Sequence, residues 1–266
     1  MDQTLILALV FIGISTLFSM LGMGGGILYV PILLFAGFSM SSAPSISLIL
    51  IMGTSLAALS NFWKNNKVDW KLALMIDPPT DIMAFVGGYF SALVPDVILR
   101  TVLAGVLMVA GTLMLRQRKA ARLPRVGTSH WWLWHREFRG EQYVVNLPLV
   151  LSATALIGLF SGMLGITGGI IKLPIMVLLC GVPMDIAVAT STVMVVVTAL
   201  SGVAGHAVQG KVDWSTGLIL AIAAIAGGLI GSHISLSMNK NRLKKGFGIA
   251  VWIIALRMVT KLVWGI

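Results

Sequence analysis

Few ionisable side chains in this chain fall inside its apolar segments, and those few are the first candidates for chemistry. Lys172 sits in SGMLGITGGIIKLP (161–174), three residues after Gly169 in an otherwise apolar run. It could offer a full positive charge to an anion, or lay its stem along apolar surface and carry its ammonium to an interface. Asp77 and Asp81 bracket the stretch DPPTD (77–81). Four residues apart, they would share a helical face, although Pro78 and Pro79 make a regular helix there doubtful. Two carboxylates in such a place are candidates for carrying a proton. His206 is a third candidate, although His206 and His233 also suit the ordinary role of residues at helix ends.

The stretch SMLGMGGGILYVP (19–31) raises a different possibility. Gly22, Gly24, Gly25 and Gly26 lie between strongly apolar runs, and each glycine inside a helix costs about 1 kcal/mol relative to alanine. A helix break is expected there. It recurs: Leu21-Gly22, Gly25-Gly26 and Pro31 reappear as Leu164-Gly165, Gly168-Gly169 and Pro174, each shifted by 143 positions. A break at membrane depth survives only in a protein interior or a wet cavity. The helix that restarts after it presents free N–H groups and the positive end of its dipole, which suits an anion. The substrate-lining candidates are therefore Gly22, Gly24, Gly25 and Gly26, with Gly165, Thr167, Gly168 and Gly169. The plainer alternative is close helix packing through small residues.

Hydroxyls form a second donor set. ATSTVMVVVTALS (189–201) carries Thr190, Ser191, Thr192, Thr198 and Ser201, echoed in the first half by Ser47, Thr54, Ser55 and Ser60. Ser55, Thr190, Ser191 and Thr192 are the ones assigned here to substrate contact. Interhelical hydrogen bonding competes for all of them.

These residues need a scaffold, and composition says which kind. The 266 residues are 58% hydrophobic and only 11% charged, against about 25% charged in soluble domains. Segments 4–21, 46–62, 97–115, 147–164, 186–207, 218–234 and 247–263 are each about as long as a bilayer span requires. The chain reads as an all-α polytopic membrane protein. The first segment is expected to be retained rather than cleaved, because only Asp2 and Gln3 precede it and no basic n-region is present. The net charge of +10 is explained by cytoplasmic loops rather than by nucleic acid.

Several chemistries find no support. The single cysteine, Cys180, allows no internal disulfide, and the four histidines show no metal-ligand spacing. No phosphate-binding loop is present. An intramembrane serine protease would need G-x-S-G, but Leu159 and Ala199 stand where the first glycine before Ser161 and Ser201 is required. No enzymatic activity, cofactor or metal is expected.

The internal repeat runs beyond the glycines. KVDW occurs at 67–70 and 211–214, Gly87-Gly88 is echoed by Gly227-Gly228, and Leu99-Arg100 by Leu243-Lys244. This divides the chain into a first transmembrane repeat (1–115), a basic cytoplasmic linker (116–146) and a second transmembrane repeat (147–266). The linker holds seven basic residues and the cluster HWWLWH at 130–135. Eight to ten membrane segments are expected. Residues 5–38 would make a helix of about 51 Å, too long for one crossing of a core of about 30 Å. Two short arms would give five segments per half and inverted halves, the arrangement favoured here over parallel ones. Internal repeats with broken helices at matching positions are a construction of secondary transporters.

The duplicated G-x-(x)-G-G-(G)-x4-P motif, opening each hydrophobic half with a basic linker between, resembles the TauE/SafE-type family of sulfite and organosulfonate exporters. The resemblance covers nearly the whole chain. It implies a secondary carrier for small sulfur-containing anions in the inner cell membrane, working without ATP hydrolysis, and a substrate-path role for the glycines and Thr167 named above. Its implied partners are a small anionic substrate and membrane lipid; a homo-oligomer is compatible with it. The alternative is a channel for anions or other small solutes, because glycine-rich breaks also build filters. The linker could also touch anionic lipid as a secondary role.

The linker's charge generates the first test. A cysteine introduced at Ser129 should be protected from an impermeant thiol reagent in intact cells, and ready labelling would reverse the topology.

Overall fold

The computed structural model describes residues 3–22, 24, 26–115, 131–166, 168–236, 252–258 and 260. Helix α1 (Gln3–Ser19) is followed by the first glycine break, α2 (Gly26–Phe35) and the long α3 (Ala43–Lys64). Two shorter helices, α4 (Trp70–Ile76) and α5 (Pro78–Phe90), then meet at Asp77, and a 3₁₀ turn leads to α6 (Asp96–Leu115). The second half opens with α7 (Leu147–Leu164) and the second glycine break. There follow α8 (Gly169–Pro174), a π-helical turn (Ile175–Leu179), α9 (Met184–Val208) and α10 (Trp214–Ser235). Residues 252–258 are again helical. Among the described residues, α3, α7, α9 and α10 are long and apolar enough to cross a membrane, and α1 and α2 are shorter apolar helices. Large apolar side chains point outward, including Leu74, Ile82, Ile222 and Leu229. Such faces suit lipid rather than water.

Both breaks occur where the glycines predict them, with two refinements. Gly22 and Gly24 have φ of +66° and +64°, and Gly165 ends α7 at +66°, the left-handed conformation that glycine adopts without penalty. Gly26 and Gly169, expected to be non-helical, are already the first residues of α2 and α8. Gly25 and Thr167 lie outside the described residues.

Helices α5 and α10 each pack on elements far from them in the chain. Helix α5 packs on α7 and α9, while α10 packs on α1 and α3. Glycines make both crossings close. A Cβ on Gly162 would stand 2.0 Å from the carbonyl oxygen of Ala84, and one on Gly231 would stand 1.9 Å from that of Thr16. At the centre α3 and α9 pack together and run in opposite directions. The Ser45 hydroxyl near the start of α3 donates to the Lys211 carbonyl beyond the end of α9 (3.0 Å). The Asp69 amide beyond the end of α3 donates to Thr190 near the start of α9 (3.0 Å).

One feature departs from the all-helical expectation. The end of the basic linker folds as an antiparallel hairpin, β1 (Leu133–Phe138) paired with β2 (Glu141–Asn146) in the register Leu133↔Asn146 to Phe138↔Glu141. Arg139 and Gly140 turn it with positive φ at both positions, as a two-residue type I′ loop requires. The hairpin is docked rather than free. Tyr143 and Val145 are buried against Leu173, Met176 and Cys180, and the Val144 amide donates to the Cys180 carbonyl. Arg136 holds the buried Asp69 with two bonds of 3.0 Å, and the Tyr143 hydroxyl donates to the same carboxylate. Asp69 also caps α4 through the amides of Lys71 and Leu72. Burial opposes its ionisation, but the bonds from Arg136 and Tyr143 prevail and hold its pKa below the usual carboxylate value. The clasp's stability is thus present at neutral pH and lost only as pH falls through that lowered value.

Gly162→Ala and Gly231→Ala should each destabilise the protein by about 1–3 kcal/mol through overpacking, read as a lower midpoint of thermal unfolding in detergent. Gly13→Ala on α1, where no atom lies within 4 Å of the added Cβ, should not lower it.

Candidate functional site

The ionisable residues singled out in the sequence converge at one place. Lys172 on α8 is 1% exposed and Asp77, at the α4–α5 junction, is 4% exposed. The Lys172 ammonium donates to the Asp77 carboxylate and to the Thr198 hydroxyl at 3.0 Å. Thr198 in turn donates to Asp81 Oδ1 at 2.9 Å. Four residues from α5, α8, α9 and the α4–α5 junction therefore form one bonded set. Thr198 is fourteen residues from the start of α9 and ten from its end, so the set lies near mid-depth, about 21 Å along that helix.

The local sequence explains this placement. Pro78 and Pro79 occupy the first positions of α5, where a missing N–H does no harm. They end α4 and turn Asp77 into the helix junction. The carbonyl of Ile76, left over at this junction, accepts from Thr154 on α7 (3.2 Å). Lys172 enters from the other side because Gly168 carries no side chain. A Cβ there would lie 2.8 Å from Ile157 and 3.3 Å from the Lys172 stem. A crevice with about 150 Å³ of empty space, lined by Ser161, Gly168 and Thr198 against Leu48, Ile51 and Val195, joins the second break to the cluster. It is too narrow for a water-sized sphere. A larger apolar cavity of about 530 Å³, between α6, α7 and α8, also reaches Gly168.

The first half builds the corresponding corner without charge. Tyr29, the counterpart of Lys172, bonds to Thr54 (3.0 Å) and Ser15 (2.5 Å), and Thr54 is the counterpart of Thr198. By the Gly87-Gly88 and Gly227-Gly228 echo, the stretch matching Asp77–Asp81 is Gly217–Ala221, which is wholly neutral, and Ala221 and Ile225 at the offset of 144 are neutral too.

Other predicted site residues are engaged elsewhere. Ser191 donates to the Gly22 carbonyl at 2.8 Å, and its counterpart Ser47 donates to the Gly165 carbonyl at 2.5 Å. Thr192 bonds within its helix to Val188, and Thr190 accepts the Asp69 amide. These three hydroxyls hold backbone near the start of α9, about two turns from Thr198. Ser55 is buried with no hydrogen-bond partner. His206 is buried too; it bonds to Ser91 (3.2 Å) and the Gly162 carbonyl (2.9 Å). It stands eight residues, about 12 Å, along α9 from Thr198 and takes no part in the cluster. Lys172 does not snorkel; it is paired at depth. Thr198 as the bridge, and the docking of the hairpin on Asp69, were not singled out from sequence. The available signal for the hairpin was the Arg139-Gly140 pair between two runs that hold aromatic and β-branched residues. Among the described residues no group of acidic, histidine or cysteine side chains could hold a metal ion.

Comparison with known proteins finds one family and several relatives. The profile described as sulfite exporter TauE/SafE matches residues 5–258. The "Probable membrane transporter protein YunE" of Bacillus subtilis is 27% identical over 257 residues, 92% of this chain and 93% of that protein. The "Probable membrane transporter protein YfcA" of Escherichia coli K12 is 25% identical over 226 residues, 83% and 77% respectively. A "Probable membrane transporter protein" of Xylella fastidiosa strain 9a5c is 27% identical over 252 residues, 90% and 88% respectively. No solved structure matches the chain significantly.

Removing one member of a buried ion pair strands the other, at about 3–5 kcal/mol. Lys172→Met should therefore lower the thermal midpoint sharply. Lys172→Met combined with Asp77→Leu should recover most of the loss in a double-mutant cycle, and strict additivity would argue against the pair.

Proposed function

We propose a carrier function for this chain from one premise: it belongs to the sulfite exporter TauE/SafE family. It is a membrane transporter. The finer reading is a secondary carrier for small sulfur-containing anions such as sulfite or organosulfonates. The observation that carries it is Lys172, a cation kept at mid-depth by a carboxylate partner beside a helix break. A sulfite or sulfonate group matches the Asp77 carboxylate in charge and in hydrogen-bond acceptors, so it can take that partner's place on the ammonium. The glycines at 22–26 and 165–169 give the approach its bare backbone, with the crevice at Gly168 as the entry to the charge. Closure of that crevice to a water-sized sphere favours a carrier over an open channel.

Alternating access suits two halves of inverted topology. That reading is supported by the opposite directions of α3 and α9 and by the packing of α5 on α7 and α9 and of α10 on α1 and α3. In the same reading residues 1–115 and 147–266 are the two repeats. The linker then faces the cytoplasm beside Lys64, Lys67 and Lys71, and the protein lies in the inner cell membrane.

Proteoliposomes containing the purified protein should take up radiolabelled sulfite or a sulfonate in a saturable manner and show counterflow. Gly168→Leu should abolish uptake while leaving a folded, inserted protein. Lys172→Ala should raise the half-saturation concentration at least about tenfold. The exposed Lys211→Ala should change it little, because a charge in low dielectric is worth more than one in water. Lys172→Arg should keep part of the activity, since charge is retained and geometry is not. Unchanged apparent affinity in Lys172→Ala would overturn the assignment.

A further inference from the structure

The buried cluster holds more negative charge than its lysine can balance. Lys172 contributes +1, and Asp77 and Asp81 contribute −1 each when ionised, a sum of −1. Among the described residues nothing else nearby corrects it: α6, against α7 and α8, carries Asp96 and Arg100 within its first five residues, opposite in sign. Helix α7, packed against α5, carries no ionisable side chain. The ionisable groups of α9 are Asp185 in its first turn and His206 in its last, and His206 is committed to Gly162 and Ser91. On α4 the side chain of Lys71 is exposed, and Asp69 before it is taken by Arg136 and Tyr143. Thr198 cannot help either, because its single proton already goes to Asp81. Carboxylates that share a low-dielectric site do not both stay ionised without compensation.

The first half supplies an internal comparison. The same helix corner is built there from Tyr29, Ser15 and Thr54, with neutral residues in place of the acids. The fold does not need the charges. A buried charge set that packing does not require is a candidate for function.

We propose that the Asp77–Asp81 pair is a proton-binding site that loads one proton together with each monovalent anion. This inference rests on the carrier reading above and specifies its coupling. In the empty protein one proton shared by the two aspartates brings the cluster to neutrality. When an anion takes the place of Asp77 on the Lys172 ammonium, the added charge is −1. Neutrality returns only if a further proton from the entry side forms an O–H bond on the released carboxylate. Release reverses both steps: the proton leaves to water, and Asp77 regains the lysine. Anion and proton therefore bind cooperatively and cross together, in the direction set by the two gradients.

The test uses the full-length protein and methanesulfonate, which stays ionised throughout the accessible pH range, with sulfite as a second probe. In weakly buffered detergent solution, saturating the wild-type protein with methanesulfonate should take up about one proton per bound anion, read with a pH indicator. In proteoliposomes clamped at zero membrane potential, an inward proton gradient should drive accumulation of about tenfold per pH unit, as one-to-one coupling requires. Asp77→Asn combined with Asp81→Asn should bind methanesulfonate without taking up a proton, because no carboxylate remains to accept one and Lys172 alone balances the anion. Proton uptake by that double variant equal to the wild type's would overturn the assignment of the proton to these two aspartates. Uptake of either anion without proton uptake, or indifferent to the gradient, overturns the proton site and leaves the carrier reading standing. Failure of the wild-type protein to transport either anion overturns the carrier reading, and the proton site with it.

Discussion

A carbonyl group released by a broken helix has no water to turn to at membrane depth, and much of this structure follows from that constraint. Among the described residues three such junctions are each closed by a hydroxyl from another helix. Ser191 answers Gly22, Ser47 answers Gly165, and Thr154 answers Ile76. Each bond contributes only about 1 kcal/mol net, but leaving its acceptor bare would cost about 1–3 kcal/mol. Two of the three run between equivalent positions of the two halves. Each glycine break is thus secured by a hydroxyl from far along the chain, as α5 and α10 also pack on helices far from them.

With the breaks stabilised, the interior can hold a charge. Lys172 reaches mid-depth only because Gly168 leaves space for its stem and because the prolines after Asp77 turn that carboxylate into the junction. Neither half-site of the pair is tenable alone, since an unpaired buried ion is far more costly than the pair. In the carrier reading proposed above the pairing is exchangeable. A carboxylate and a small oxyanion offer the ammonium the same kind of contact, which gives the pair a chemical use beyond stability.

The hairpin ties this interior to the surface. Asp69 caps α4, donates its amide to α9 and accepts from Arg136 and Tyr143 of the linker. The linker between the halves is therefore fastened to the helix that ends at Asp77. A segment chosen from sequence only for its positive charge has a packed role, because its alternating residues bury Tyr143 and Val145 while Arg136 turns to the buried acid.

The sequence by itself determined the membrane class, the helix breaks at Gly22–Gly26 and Gly165–Gly169, and the residues capable of chemistry, because hydropathy, glycine and proline act locally. It could not decide between two uses of one residue. Lys172 could have snorkelled, and Thr190, Ser191 and Thr192 could have faced a ligand, because a hydroxyl or an ammonium carries no record of its partner. Those partners are far away in the chain: Asp77 is ninety-five positions from Lys172, and Gly22 is 169 from Ser191. Only the tertiary structure could bring them together, since a buried polar group is satisfied by whatever the packing of distant helices places within reach.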